Sequence, residues 1–349
     1  MKSYSLLSAV VMLGQTASAA WTSAADKSIV YSSVPGFFLQ DDNTTSPTGF
    51  DYATVNFGLI DRAYPTDKRF DPEGTASQWE RFEYYVASLN SGCRPRDNVR
   101  YKVLFMGRHG EGWHNAAESF YGTPAWNCYW AEQTGNGTAV WADPLLTPAG
   151  EYEAYKANAY FKDRYETQNM PHFESYYSSP YRGAPSRPTS PSPTSPSPRT
   201  APSPPKTDIA ALFPSYRFED GFSEEDELWH SYEAETTAAQ AVRAKTVLDD
   251  VFRGDDTTWI SVTSHSGQIT QLLAALNHRA FRLSTGQIIP VLVKATLADP
   301  RPAETVEAYE PYSTCEAPPV TSVAGQGCVC EATTAGVPMA TAVVPRRLR

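Results

Sequence analysis

The chain has 349 residues and carries 29 Lys+Arg against 39 Asp+Glu, a formal net charge of −10 at pH 7. Such acidity excludes a protein whose main partner is nucleic acid, because phosphate backbones call for a basic surface. Hydrophobic residues make up 41% of the chain, enough for one large packed core or two small ones, and ten of the 28 prolines fall between Pro180 and Pro205, so the proline excess is a local low-complexity stretch.

Residues 1–19 read as a signal peptide: Lys2 is the positive start, Leu6 to Leu13 the apolar centre, and Ala17-Ser18-Ala19 the small-residue cleavage pattern. This stretch is too short to span a bilayer, and no later run of about 20 apolar residues follows. Sequons at Asn43 and Asn136 fit an exported, glycosylated chain; the alternative is a cytoplasmic protein with an uncleaved apolar start. Five cysteines, Cys93, Cys128, Cys315, Cys328 and Cys330, allow one or two disulfides with one thiol left over. Cys93 with Cys128 is the first pairing to expect, although spacing alone leaves connectivity open. Cys328-Val329-Cys330 lacks the spacing and companion ligands of a zinc site, so no metal is expected.

From 21 to 60 the pattern is one of short strands and loops. Trp79, Phe82, Tyr85, Val86 and Leu89 recur at three- and four-residue steps and predict an amphipathic helix over 76–90. Val103-Leu104-Phe105-Met106 is a continuous apolar run, the signature of a strand buried on both faces. Gly107-Arg108-His109-Gly110 ends it, and a helix from Trp113 to Phe120 follows. A second start signal is Thr147 as N-cap with Pro148 in the first helical position. Thr236 to Phe252 is a third amphipathic helix. Trp259 to Thr263 is then a strand, Ser264-His265-Ser266-Gly267 a turn, and Ile269 to Leu276 a helix. Ile288 to Val293 is a further strand, with Pro290 an objection to a central place. Strands alternating with helices imply an α/β fold with a mostly parallel sheet. Residues 298–349 are rich in Pro, Ala, Thr and Val without periodicity and are expected to be a disordered tail.

His109 and His265 both stand at a strand end, each with a glycine within two residues and then a helix. Ligands of open α/β sheets bind at such junctions, and free N–H groups of helix starts favour an anion there. Arg108 adds a planar fork that matches phosphate oxygens. Two imidazoles, a guanidinium and amide donors suit a phosphoryl group. A metal pair from His109 and His114 fails on its five-residue step. A Ser-His hydrolase fails because Thr263 to Gly267 has no nucleophile elbow.

These residues resemble the histidine phosphatase superfamily in its phosphoglycerate-mutase-like branch, and secreted fungal members in particular. Arg108-His109-Gly110 with Asn115 resembles R-H-G-x-x-x-x-N, Leu146 to Gly150 resembles L-T-x-x-G, Ser178-Ser179-Pro180-Tyr181 resembles the start of S-P-L-x-R, and Ser264 to Gly267 resembles the second-histidine motif. The acid-phosphatase and phytase branch is disfavoured, because Gly112 follows Glu111 and Ser266 follows His265. The resemblance covers roughly 30–182 and 207–297. It implies a three-layer α/β/α domain over 20–297, a small phosphomonoester substrate and no cofactor. It further implies that His109 is the nucleophile, with Arg108, His265 and Asn115 around the phosphoryl oxygens. The expected activity is phosphomonoester hydrolysis through a phosphohistidine. A phosphomutase of the same family, or a non-catalytic secreted phosphate-binding or cell-surface domain, are the alternatives.

The sequence departs from that pattern in one place. The second clamp arginine should fall at 183, which is Gly183; Arg182 stands one position early. The general acid should follow, yet residues 183–206 are mostly Ser, Pro and Thr and contain no Asp or Glu, so the acid stays unassigned. One reading of 185–206 is a flexible, O-glycosylated linker; the preferred reading is that the stretch displaces the family's residues, and a local reading-frame error over 183–206 would account for the Ser/Pro alternation. Glu219, Asp220, Glu224, Glu225 and Asp226, further on, read as a solvated acidic face.

Overall fold

The computed structural model describes residues 21, 24, 26–92, 98–179, 205–219, 222–225, 233–300, 305–311, 314–323 and 327–330. The leader, Cys93, Arg182 with positions 183–204, Asp220, Asp226 and the chain end from 331 lie outside them.

In chain order the strands are β1 (Ser28–Ser33), β2 (Val99–Arg108), β3 (Ser175–Ser178), β4 (Glu233–Glu235), β5 (Trp259–Ser264), β6 (Ile288–Ala298), β7 (Tyr309–Pro311), β8 (Thr321–Val323) and β9 (Gly327–Val329). The helices around them are α1 (Gln78–Gly92), α2 (Trp113–Tyr121), α3 (Thr123–Cys128), α4 (Pro148–Gln168), α5 (Lys206–Leu212), α6 (Thr237–Gly254) and α7 (Ser266–Ala275). A five-stranded sheet of order β1-β6-β2-β5-β3 forms the middle of three layers.

Strand β2 shows why the apolar run at 103–106 is continuous. Leu104 and Met106 enter one core with Leu248 of α6 and Leu272 of α7, while Val103 and Phe105 enter another with Trp79 and Phe82 of α1. Helix α4 lies on that second side through Ala157, Tyr160 and Phe161. Each such side chain, once buried, contributes about 1.5–3 kcal/mol. Helices α4 and α6 begin where the sequence indicates: Thr147 Oγ1 accepts from the Gly150 N–H at 3.2 Å, and Thr236 Oγ1 from the Ala239 N–H at 3.1 Å.

The three-layer α/β/α architecture is as expected, but the sheet is mixed. β2–β5 and β3–β5 are parallel, whereas β1–β6 and β2–β6 are antiparallel. After α7, residues 276–287 carry the chain back to the His109 end, where the Gly286 N–H donates to the His109 carbonyl at 3.0 Å. β6 therefore starts where β2 stops and must run against it. Pro290 does sit in an interior strand, yet β1 pairs only with Val293–Ala298, so at Pro290 the strand has a partner on one side, Phe105.

The tail expected from 298 is corrected over part of its length. β7 pairs with β4, β8 with β9, and the Cys315 N–H donates to the Cys128 carbonyl at 2.9 Å. Disulfides join Cys128 to Cys328 and Cys315 to Cys330. The expected Cys93–Cys128 pair is thereby replaced. Composition without periodicity misleads here because the order of this segment comes from cross-links and edge pairing rather than from an apolar face.

Candidate active site

Because β2 and β5 are parallel neighbours with Arg108 opposite Ser264, the next residues, His109 and His265, leave the sheet at the same end. The His109 N–H donates to the Ser264 carbonyl at 3.1 Å, and the two ring centroids are 4.7 Å apart. The residues linking this strand end to α2 are held by close backbone packing. A Cβ on Gly110 would collide with the Gly150 carbonyl, and one on Gly150 with the Glu111 backbone. The glycines of the two sequence motifs are thus required by each other: they let the start of α4 lie against the His109 turn.

Helix α2 brings a third imidazole. His114, in its first turn, has its ring centroid 5.1 Å from that of His109. The spacing argument treated His114 only as half of a metal pair; its place directly after the glycine turn was the signal for it. Ser179, just past β3, entered the sequence reading as part of the Ser178 to Tyr181 motif but without a role of its own. Its Oγ and His265 Nε2 are hydrogen-bonded at 2.9 Å. Arg108 is clamped by backbone: its N–H donates to the Gln287 carbonyl at 2.9 Å and its Nη1 to the Leu283 carbonyl at 3.1 Å. Its Nε is buried with no partner among the described residues.

Burial sets the electrostatics. His109 is only 4% exposed, and desolvation, opposed by the Gly110 carbonyl and assisted by Arg108, pushes its pKa down to about 4. Burial, then the neighbouring imidazoles and Arg108, holds His265 and His114 well below the ordinary histidine value. All three rings are neutral at pH 7. His109 Nδ1 lies 2.7 Å from the Gly110 carbonyl oxygen, which can only accept. Nδ1 therefore carries the proton and Nε2 the free lone pair.

The structure brings Arg108, His109 and His265 together at one end of the sheet. Asn115 stands in the same first turn as His114, with its Oδ1 accepting from the Gly112 N–H at 3.0 Å to cap its own helix. Arg182 lies outside the described residues. Of the sequons, Asn43 is exposed, while Asn136 is half-buried with Nδ2 donating to Tyr121 Oη at 3.1 Å.

Two carboxyl groups stand out. Glu219, expected in a solvated face, is half-buried, and desolvation with Asp250 nearby raises its pKa to about 7. Asp250 lies in the last turns of α6, which lead into the start of β5, so this group sits at the end of the sheet away from the histidines. Glu153 of α4 is at the right end. It accepts from the Glu111 N–H at 2.8 Å and from Thr285 Oγ1 at 3.0 Å, beside a cavity of about 570 Å3 that His109 and Arg108 also line. The arrangement offers a neutral, hydrogen-bond-oriented imidazole beside a fixed guanidinium, which is what attack on an electrophilic phosphorus requires.

No family model matches the chain. A probable phosphoglycerate mutase of Arthroderma benhamiae is 38% identical over 299 residues, covering 80% of this chain and 88% of its own. Phosphomutase-like protein 3 of Candida albicans is 36% identical over 208 residues, 55% of this chain and 65% of its own. A probable phosphoglycerate mutase of Saccharomyces cerevisiae is 27% identical over 242 residues, 58% of this chain and 81% of its own.

Proposed function

Because the chain belongs to the phosphoglycerate-mutase-like branch of the histidine phosphatases, we propose that it transfers phosphoryl groups between phosphomonoesters and hydroxyl acceptors, with His109 as the carrier. His109 Nε2 attacks phosphorus; the N–P bond forms as the P–O bond to the alcohol breaks, and the alcohol oxygen takes up a proton from water. An acceptor hydroxyl then loses its proton to water as its oxygen displaces the imidazole. In this reading Arg108 and His265 surround the equatorial oxygens. An unpaired buried donor costs about 1–3 kcal/mol, and a phosphoryl oxygen meeting Arg108 Nε would remove that cost.

The observation that carries this reading is the neutral, almost fully enclosed His109 ring with Nδ1 tied to Gly110 and Nε2 left to attack. The sequence alone led to water as the acceptor. Mutase names on all three relatives, and a nucleophile sheltered from solvent, favour a hydroxyl instead. The reading includes an exported chain that is cleaved after Ala19 and glycosylated at Asn43, which paired cysteines and the exposure of Asn43 support.

The test is to incubate the protein with a 32P-labelled phosphomonoester and excess glycerol. An alkali-stable, acid-labile phosphoenzyme that passes its label mainly to a hydroxyl is expected. Label appearing only as inorganic phosphate would return the acceptor to water. Absence of any phosphoenzyme would leave the non-catalytic reading.

A further inference from the structure

Resting on the phosphoryl-transfer reading, we propose that the cavity between α4 and the sheet holds the alcohol part of the substrate, and that this alcohol is uncharged and ring-bearing rather than short and acidic. A space of about 570 Å3 falls within the roughly 300–1,000 Å3 that encloses a drug-sized ligand.

The cavity is written into the sequence. Its floor is Gly107 of β2 with Ser261 and Thr263 of β5, and its roof is Ala154 and Ala157 of α4. On the opposite face the neighbouring positions are Met106, Ile260 and Val262, packed against the α6 and α7 core. Small residues on both sides leave this part of the layer unfilled, while Phe105, Phe161 and Phe173 beside it keep helix and strands apart. The inner wall is aromatic: Phe105, Phe161 and Phe173 meet edge to face at centroid distances of 5.0 to 6.0 Å, and Tyr165 stacks on His172 at 4.0 Å. Flat apolar walls of this kind favour an inserted ring. Exposed Asn158 and Lys162 form the outer rim, and Lys162 is paired with Glu166 at 3.8 Å.

Direction follows from the two ends. Glu153 and Tyr165 both line the space, and twelve helical steps between them span about 18 Å at 1.5 Å each. His109, Arg108 and Glu153 occupy one end and the Tyr165–His172 stack the other. A phosphomonoester with its phosphorus at His109 therefore extends its alcohol along α4. Glu153 selects at the mouth. Its carboxylate is fixed by the Glu111 N–H and the Thr285 hydroxyl, and a substrate carboxylate next to the phosphoester would be driven against it. A glycerate skeleton brings such a charge and leaves most of the cavity empty; an uncharged ring system does neither.

The experiment compares 2-naphthyl phosphate, glycerol phosphate and 3-phosphoglycerate on the wild-type chain and on two variants that fill the cavity from opposite sides, Ala157→Phe and Thr263→Leu. Wild type should favour 2-naphthyl phosphate over 3-phosphoglycerate by about tenfold or more in kcat/KM. Each variant should lose about tenfold more on the naphthyl ester than on glycerol phosphate. Equal losses on both esters in both folded variants, or preference for 3-phosphoglycerate in the wild type, would overturn the assignment. Near-UV circular dichroism identifies a variant that fails to fold, and the other then decides. If no ester is turned over, the phosphoryl-transfer reading fails on its own, and calorimetric titration with 2-naphthylphosphonate still reads the cavity. Binding lost in Ala157→Phe supports it; no binding to wild type, or binding unchanged by the variant, overturns it.

Discussion

The two faces of the central sheet are built from different materials. Under α6 and α7 the core is aliphatic and closed, with Leu104, Met106, Leu248, Ile260, Leu272 and Val291 almost completely buried. Under α1 and α4 it is aromatic and, beneath α4, stands open around Gly107, Ser261 and Thr263. Both faces meet the same strands, so the difference lies in side chains alone. One face supplies cohesion; the other gives up some packing for a space beside His109.

The sharpest way to break this comparison is at the shared edge. His109→Ala should abolish the phosphoenzyme and lower turnover about a thousandfold or more, measured by label incorporation and initial rates. The faces themselves should respond in opposite ways. Leu248→Ala and Leu272→Ala should each cost about 2–5 kcal/mol in urea unfolding. Ala157→Leu, which adds volume on the open side, should change stability by no more than about 1 kcal/mol in either direction. Equal penalties on both faces would show that the cavity is as tightly packed as the aliphatic side.

pH tests the buried imidazoles. The His109 pKa is lowered from 6.5 to about 4 in the native state, so below 6.5 the unfolded chain takes up a proton that the folded one refuses. Stability is therefore unaffected above that value and falls as pH drops from 6.5 towards 4. The loss from this group alone should reach about 3 kcal/mol, with His114 and His265 adding in the same direction. Urea midpoints across this window check it, and a flat profile would mean that solvent reaches the rings. The smallest effect belongs to the start of α4. Thr147→Ala removes the cap on Gly150 and the 2.7 Å bond from its hydroxyl to Glu111 Oε1, and should cost about 1 kcal/mol by thermal unfolding.

Much of this was legible in the residues, and what was not has physical causes. Val103 to Met106 had to be a doubly buried strand, and Thr147-Pro148 and Thr236 had to begin helices, because those signals are local. His109 and His265 could be paired from two recurring strand-turn-helix patterns. The antiparallel entry of β6 depends on where residues 276–287 deliver the chain, which no periodicity encodes. His114 and Ser179 join the site through tertiary packing of α2 and β3. The cavity was least legible of all, since a glycine and a serine within strands look like weak strand signals, and a threonine like an ordinary one, rather than like the lining of a space.

The disulfide from Cys128 to Cys328, with a sequence separation of 200, makes a covalent ring out of more than half of the chain. Helix α4, β3, the Ser/Pro-rich positions, β5 and β6 all lie within that ring. Linear order and molecular integrity are thereby uncoupled: a single cut anywhere from 129 to 327 opens the ring without producing two molecules. A protease that nicks the Ser/Pro-rich stretch would yield a species that migrates as one chain until reductant is added and as two fragments afterwards. His109, before the ring, and His265, inside it, would stay joined through that one sulfur bridge.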